Sequence, residues 1–492
     1  MNTIEMNTVE VADVTIDTRH WIGGQRVDSP MMFENISPID ESTLGHVCRG
    51  DADTARQAVS AAAGAFPSWA STPPMERARI LHAIADEVEA RSDELAMVET
   101  TDNGGLIRAH RRGVMPRVAH NFRFFADFLI KSLGHPDFET RGHTNKVSWS
   151  PAGPCLLITP WNAPLMLATW KIAPALAAGN TVILKPAEWT PLTASIFADI
   201  TKAAGLPDGV FNMVQGIGEE VGAALVADER VARISFTGSV PTARHIAARA
   251  GRNLTPVSLE LGGKSPFIVF GDADLDIAVQ QGVGQFDNAG QVCLSGTRHL
   301  IHESVYDAYV ERLIEAINAL QQGDPRDMST DLGPNISRQH VERIDGFVQR
   351  AKADGCRALV GGGPNTDLGG LYYRPTLFAD CPEGSEILTS EVFGPVVTVQ
   401  KFSNDDEAIA LANNTEFGLS ATVITGDRER AERMSREIAF GTMWVNCFFV
   451  RDLAAPFGGA KKSGIGREGG AWSFDFYCDV KNTCYAPVGW NE

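Results

Sequence analysis

Cys293 stands in NAGQVCLSGTR, a polar, glycine-rich loop and an unusual place for a cysteine that only packs. A thiolate there attacks a carbonyl carbon once its pKa is lowered or a base removes its proton. Glu260 ends the apolar run of SLELGGKSP, before two glycines that keep the backbone tight, which suits a general base at a strand end. Asn162 in TPWNAP offers a side-chain N–H to a developing oxyanion. A lone cysteine is more often an inert core thiol, but the loop, the carboxylate and the amide together describe acyl chemistry through a thioester. A cysteine hydrolase would need a histidine partner. The nearest one, His299, falls on an apparent strand.

Other segments suit a dinucleotide. VQGIGEEVG places Gly216, Gly218 and Gly222 between an apolar strand and a helix, a near miss of the G-x-G-x-x-G fingerprint. The bland alternative is a plain strand-to-helix turn. SFTGS, from Ser235 to Ser239, has the same setting and adds hydroxyls beside a helix N-terminus, where backbone N–H groups hold phosphate. Lys185 and Glu188 follow the strand TVILK. They either grip ribose hydroxyls or form a solvated surface pair. A carboxylate there would repel a 2′-phosphate and favour NAD over NADP.

The elements that must position these residues are α/β in kind. Residues 18–50 read as short strands, with a Gly-Gly hairpin in HWIGGQRV. From Asp51 to about Ser132 the pattern is helical, opening on an Asp cap. From Val147, short apolar runs alternate with helices, the mark of a doubly wound parallel sheet whose ligands bind beyond the strand carboxyl ends. A second such series starts at Lys264. From Ala471, SFDFYCDVKNTCYAPVGW reads as an exposed strand that needs a partner, plausibly another subunit.

The chain has 492 residues, enough for two or three packed units, and a formal net charge of −18, which argues against a nucleic-acid partner. An anionic substrate would need local arginines. No apolar run suits a membrane span, and Met1 to Asp17 lacks a signal-peptide pattern, so a cytoplasmic enzyme is expected. The eight cysteines are scattered, with no C-x-x-C pair and no zinc spacing, so no metal is expected.

PWNAP, LKPAEWTP, FTGS, LELGGKSP, GQVCLSGTR, EVFGPV and PFGGAKKSGIGREGG resemble the aldehyde dehydrogenase superfamily, from about Trp21 to Cys484. The resemblance implies two doubly wound α/β domains, one Rossmann-like and NAD-binding, the other catalytic, with a small β oligomerisation element. The implied boundaries are 1–128 with 151–261 for NAD, 262–462 for catalysis, and 129–150 with 471–492 for a homodimer or homotetramer. It makes Cys293 the nucleophile, Glu260 the base and Asn162 the oxyanion donor, with Lys171 and Glu468 on a proton path. It assigns Lys185, Glu188 and Glu391 to the riboses. Thr159, Pro160, Trp161, Gly218, Phe236, Gly238, Ser239, Leu261 and Phe393 complete the NAD site. Ala243 stands where the family often has glycine, which predicts slight crowding of the cofactor helix.

VMPRVAHNFRFFADF and NCFFVRDLAAPFGG resemble the branch that oxidises hydroxymuconic and carboxymethyl-hydroxymuconic semialdehydes. In that branch two arginines, matching Arg117 and Arg451, bind the far carboxylate, which a planar guanidinium suits better than an ammonium. A helix salt bridge for Arg117 and a loop anchor for Arg451 are the structural alternatives. Ala454 replaces a further arginine. Trp170, Phe449 and Phe457 are expected as pocket walls, and an aryl aldehyde such as benzaldehyde is the alternative substrate.

Overall fold

The apolar runs pair into two mostly parallel sheets. The computed structural model describes residues 7–131, 136–487 and 489. An eight-stranded sheet has the order Gly464–Ile465, Val257–Leu261, Arg233–Gly238, Pro154–Ile158, Thr181–Lys185, Phe211–Met213, His20–Ile22, Gln25–Val27. Its five central strands are parallel. The hairpin of HWIGGQRV forms its far edge, with Gly23 and Gly24 at positive φ in the turn.

Pro154–Ile158 comes first in sequence among the five parallel strands. Its neighbours are the second, Thr181–Lys185, and the fourth, Arg233–Gly238. Connections diverge here to opposite faces, which opens a crevice beyond the carboxyl ends of these strands. The segments beginning at Thr159 and Ser239 enter that crevice.

Side-chain alternation builds a core on each face. Val182 and Leu184 pack toward the helices Pro164–Ala178 and Leu192–Ala203, while Ile183 packs toward Ala52–Ser71 and Val240–Ala250. The helix Ala52–Ser71 starts where the acidic cap predicts, with Asp51 Oδ1 accepting from the N–H groups of Asp53 and Thr54 at 3.0 and 2.9 Å. The helical stretch is not continuous. It breaks at Gly104 in the left-handed region and passes through a π-turn, His110–Val114, before the helix Met115–Lys131 that carries Arg117.

The seven-stranded sheet runs Arg357–Val360, Thr376–Ala379, Val396–Phe402, Arg298–His302, Pro266–Val269, Ser420–Ile424, Thr442–Val445, all parallel except the first. The third sheet is antiparallel, with His143–Pro151 between Phe138–Thr140 and Cys478–Tyr485.

The C-terminal stretch corrects one expectation. Gly470–Tyr477 is a helix, and only Cys478–Tyr485 is a strand. Phe474 and Tyr477, three residues apart, are both buried in the core beside Phe125. A helix turns such a pair to one face, whereas a strand would send them to opposite sides. The strand finds a partner inside the chain, yet seven consecutive residues after Cys478 remain exposed. Of the stretches expected to mediate assembly, residues 132–135, 488 and 490–492 lie outside the described residues.

Among the described residues no helix is long and apolar enough to cross a membrane, and no group of three His, Cys, Asp or Glu side chains could hold a metal.

Candidate active site

A cavity of about 260 Å³ opens where the two large sheets meet. Cys293, Glu260 and Asn162 all line it, although they come from three separate segments of the chain. Glu260 is held by the parallel pairing of Val257–Leu261 with Arg233–Gly238, in which it lies beside Thr237. Asn162 ends the turn after Pro154–Ile158. Its Nδ2 donates to the carbonyl of Gln291 at 2.8 Å, and Asn288 Nδ2 donates back to the Asn162 carbonyl at 3.0 Å. An amide nitrogen carries two hydrogens, so this lock leaves one for a ligand. Asn288 and Ala289 take left-handed φ angles of 50° and 55°, a strained bend that precedes Cys293.

Burial governs the electrostatics. It pushes the Cys293 thiol up to about 12, with Glu391 and Glu260 adding to the shift and Arg451 opposing it. The Glu260 carboxyl is held well above its usual range by burial first and by Glu468 second. Neither Glu260 oxygen has a protein hydrogen-bond partner. A buried, unsatisfied carboxyl in a cavity suits a group that receives a proton during turnover.

Glu468 lines the same cavity, and Lys171 lies beneath it. Lys171 Nζ donates to Glu468 Oε1 at 2.7 Å and to Ser235 Oγ at 2.8 Å, and the Trp170 indole N–H donates to Glu468 Oε2.

The wall opposite the sulfur is cationic and aromatic. The Arg451 guanidinium lies 3.7 Å from the Phe457 ring centroid and 4.9 Å from that of Trp170, and all three line the cavity. Arg451 Nη2 is buried without a hydrogen-bond partner. Arg117 stands outside the lining, 5.7 Å from the Trp170 centroid, with Nη1 3.5 Å from the Arg451 carbonyl. Among the described residues neither arginine forms an ion pair. The helix salt bridge considered for Arg117 therefore lacks a partner among the described residues, whereas Arg451 packs on Phe457 and Trp170 as a loop anchor also would. Ala454 is exposed.

Phe449 corrects another expectation. It is 44% exposed at φ 63° and lies outside the cavity lining, its ring tilted against that of Phe448 with centroids 5.5 Å apart. Phe448, with Leu419 and Trp444, packs instead in the apolar cluster that includes Cys293. In a bent, glycine-free loop, sequence spacing does not tell which of two adjacent phenylalanines points inward.

The nucleotide residues fall into two regions. Pro160, Trp161, Gly238, Ser239, Leu261, Glu391 and Phe393 line the first cavity. Lys185 and Gly218 line a second, of about 590 Å³, between residues 218–226 and the helix Val240–Ala250. Lys185 Nζ holds Glu188 Oε2 at 2.8 Å, while Glu188 itself lines neither cavity. Ser239 caps that helix through the Thr242 N–H, which leaves the remaining first-turn N–H groups for an anion. Glu391 accepts from the Gly263 N–H at 2.9 Å, and burial pushes its carboxyl up to about 7. Arg343 and His340, which sequence reasoning missed, donate to the carbonyls of residues 391–393 and pin that loop.

Two expected contacts lie elsewhere. Phe236 is buried beneath Gly238, where a Cβ would meet its ring at 2.5 Å, so it forms the floor that only glycine can cover. Thr159 is buried at the strand end and lines neither cavity. Ala243 is buried in the core under the sheet, which relieves the expected crowding at the cleft.

His299 is buried with Nδ1 2.9 Å from the Tyr309 hydroxyl, on the strand predicted for it, and does not line the cavity. His299 therefore gives the thiol no imidazole partner, and His340, which does line the cavity, spends Nε2 on the Phe393 carbonyl at 2.7 Å. An extended two-part cleft, with a helix N-terminus between an adenosine-sized pocket and a half-buried thiol, fits a nicotinamide dinucleotide.

Comparison with known proteins agrees. The 2-hydroxymuconic semialdehyde dehydrogenase of Pseudomonas sp. (strain CF600) is 39% identical over 482 residues, covering 95% of this chain and 99% of its own. A betaine aldehyde dehydrogenase of Cereibacter sphaeroides (strain ATCC 17025 / ATH 2.4.3) is 41% identical over 463 residues, covering 94% and 93%. The crystal structure of betaine aldehyde dehydrogenase from Staphylococcus aureus in complex with NAD+ superposes with a TM-score of 0.93 at 36% identity, covering 96% and 97%. Residues 25–483 match the aldehyde dehydrogenase family as a whole. The chain belongs to that family, whose reaction is the NAD-dependent oxidation of an aldehyde.

Proposed function

We propose that the substrate is a carboxylated semialdehyde of the hydroxymuconic type, oxidised to the acid through a thioester on Cys293. The observation that carries the substrate class is Arg451, a guanidinium with a buried, unpartnered Nη2 on the wall of the cavity that holds the thiol. A buried donor without a partner is costly, and a substrate carboxylate satisfies it. Arg117 adds positive charge behind it. A trimethylammonium substrate, as in the betaine relatives, would need the faces of Trp170 and Phe457 as its cage. Here those faces are already covered by a cation.

The Cys293 thiol passes its proton to the Glu260 carboxylate as Sγ adds to the aldehyde carbon, and Glu260 releases it to solvent before the second step. The oxygen that gains the electron pair is met by Asn162 Nδ2 and the Cys293 backbone N–H. NAD, when bound, accepts the hydride. Glu260 takes a proton from water as its oxygen adds to the thioester carbonyl, the C–S bond breaks, and the acid departs. We assign 1–128 with 151–261 to the nucleotide, 262–462 to catalysis, and the exposed strand Cys478–Tyr485 to a contact between copies of the chain.

An aryl aldehyde remains the second reading, favoured by the aromatic walls. The separating experiment compares kcat/KM for 2-hydroxymuconic semialdehyde and benzaldehyde in wild type and Arg451→Ala. Carboxylate recognition predicts a loss of about 50-fold for the semialdehyde and under about threefold for benzaldehyde. Equal losses for both would overturn it.

A further inference from the structure

Ser235 is buried on the strand Arg233–Gly238, within the SFTGS motif, and lines neither cavity itself. It lies two residues before Thr237, whose register partner on the next strand is Glu260, so the side chains of Ser235 and Glu260 project from the same sheet face. Its Oγ accepts from Lys171 Nζ at 2.8 Å and donates to Glu468 Oε1 at 3.0 Å. Lys171 also reaches Glu468 Oε1, at 2.7 Å. The three groups close a buried triangle in which Glu468 Oε1 takes two hydrogen bonds and Oε2 a third, from Trp170.

We propose that Ser235 is a positioning residue for thioester hydrolysis: its hydroxyl fixes the Glu468 carboxylate that faces the base Glu260. The inference rests on the reading of Glu260 as that base. Three donors hold the Glu468 carboxyl in one orientation. So placed, it helps burial to hold the Glu260 carboxyl above its usual range, which suits a base that takes the proton of the attacking water. The groups facing Glu468 are Lys171 from the helix Pro164–Ala178, Glu260 from Val257–Leu261, Arg451 from its loop, and the Tyr477 phenol from Gly470–Tyr477. Arg467 is its neighbour in the chain. Of these, only Lys171 bonds directly to the carboxylate. Removing the Ser235 hydroxyl deletes one donor to Glu468 and one acceptor of Lys171, with no change to any group that touches the thioester.

The test isolates deacylation. p-Nitrophenyl acetate acylates Cys293 without any hydride transfer. The acetyl-enzyme is separated, and its decay is followed by intact mass between pH 5.5 and 9.5 for wild type, Ser235→Ala, Ser235→Thr and Glu260→Gln. The acetyl stoichiometry counts folded sites in each variant. Ser235→Ala is expected to acylate to wild-type stoichiometry, to deacylate about fivefold more slowly near pH 7, and to shift the acid limb downward by about one pH unit, because Glu260 loses part of what raises it. Ser235→Thr, which keeps the hydroxyl, restores rate and limb. An unshifted limb in Ser235→Ala, a loss of stoichiometry matching the loss of rate, or failure of Ser235→Thr to restore the limb each overturns the proposal. If Glu260→Gln deacylates normally, the base assignment itself fails. If Glu260→Gln is slow while Ser235→Ala is normal, only the role of Ser235 falls.

Discussion

The guanidinium of Arg451 lies 3.7 Å from the ring centroid of Phe457 and, with Nη2 unsatisfied, presents a planar donor to the space above Cys293. Stacking fixes the plane of the donors, which a lysine ammonium cannot reproduce. Arg451→Lys keeps the charge and loses the fork. For 2-hydroxymuconic semialdehyde, KM is expected to rise about tenfold with kcat nearly unchanged. Steady-state kinetics checks this, and an unchanged KM would mean that charge alone suffices.

The burial that raises the Cys293 thiol to about 12 has a visible consequence in the enzyme without nucleotide. Only the thiolate alkylates, so its fraction grows tenfold per pH unit until the pKa is reached. Iodoacetamide labelling of Cys293, read by peptide mass, should keep rising through pH 10. A plateau below pH 9 would show that the thiol is already activated.

Glu188 is held at 2.8 Å by Lys185, which lines the second cavity. A fixed carboxylate repels a 2′-phosphate and welcomes ribose hydroxyls. In Glu188→Gln, kcat/KM for NADP should rise about tenfold while that for NAD falls. Initial rates with both nucleotides decide the matter, and an unchanged NADP:NAD ratio would remove Glu188 from nucleotide selection.

Stability should depend on a carboxyl far from the thiol. Glu99 is fully buried, accepts from the Leu165 N–H and the Thr193 hydroxyl, and is pushed up to about 8 by burial. The folded protein then holds a proton that the unfolded chain releases near 4.5. Stability from this group is full below about pH 4.5 and is lost as pH rises toward 8. Glu99→Gln removes that titration. The wild type should lose on the order of 3 kcal/mol more than the variant between pH 5 and 8.5. Guanidinium unfolding midpoints at both pH values test this, and parallel slopes would refute it.

Much of the site was legible because its residues sit where strands end. Glu260 near the end of SLEL, Asn162 after CLLI and the loop of Cys293 are local signals, and the family motifs make them specific. Ser235 was hidden, since a serine inside a cofactor motif reads as part of that motif. Its partners lie 64 and 233 residues away. The C-terminal helix was hidden for a related reason. SFDFY alternates like a strand, and only the core beside Phe125 rewards placing Phe474 and Tyr477 on one side.

By itself the sequence identified the family, the thiol, carboxyl and amide that share one cavity, and the parallel sheets that carry them. These depend on residue type and on the short-range periodicity of strands and helices. Tertiary structure decided which phenylalanine enters the pocket, which arginine reaches it, and which groups surround Glu468. Those outcomes depend on burial and on contacts between segments hundreds of residues apart, where the loss of water fixes both pKa and partner.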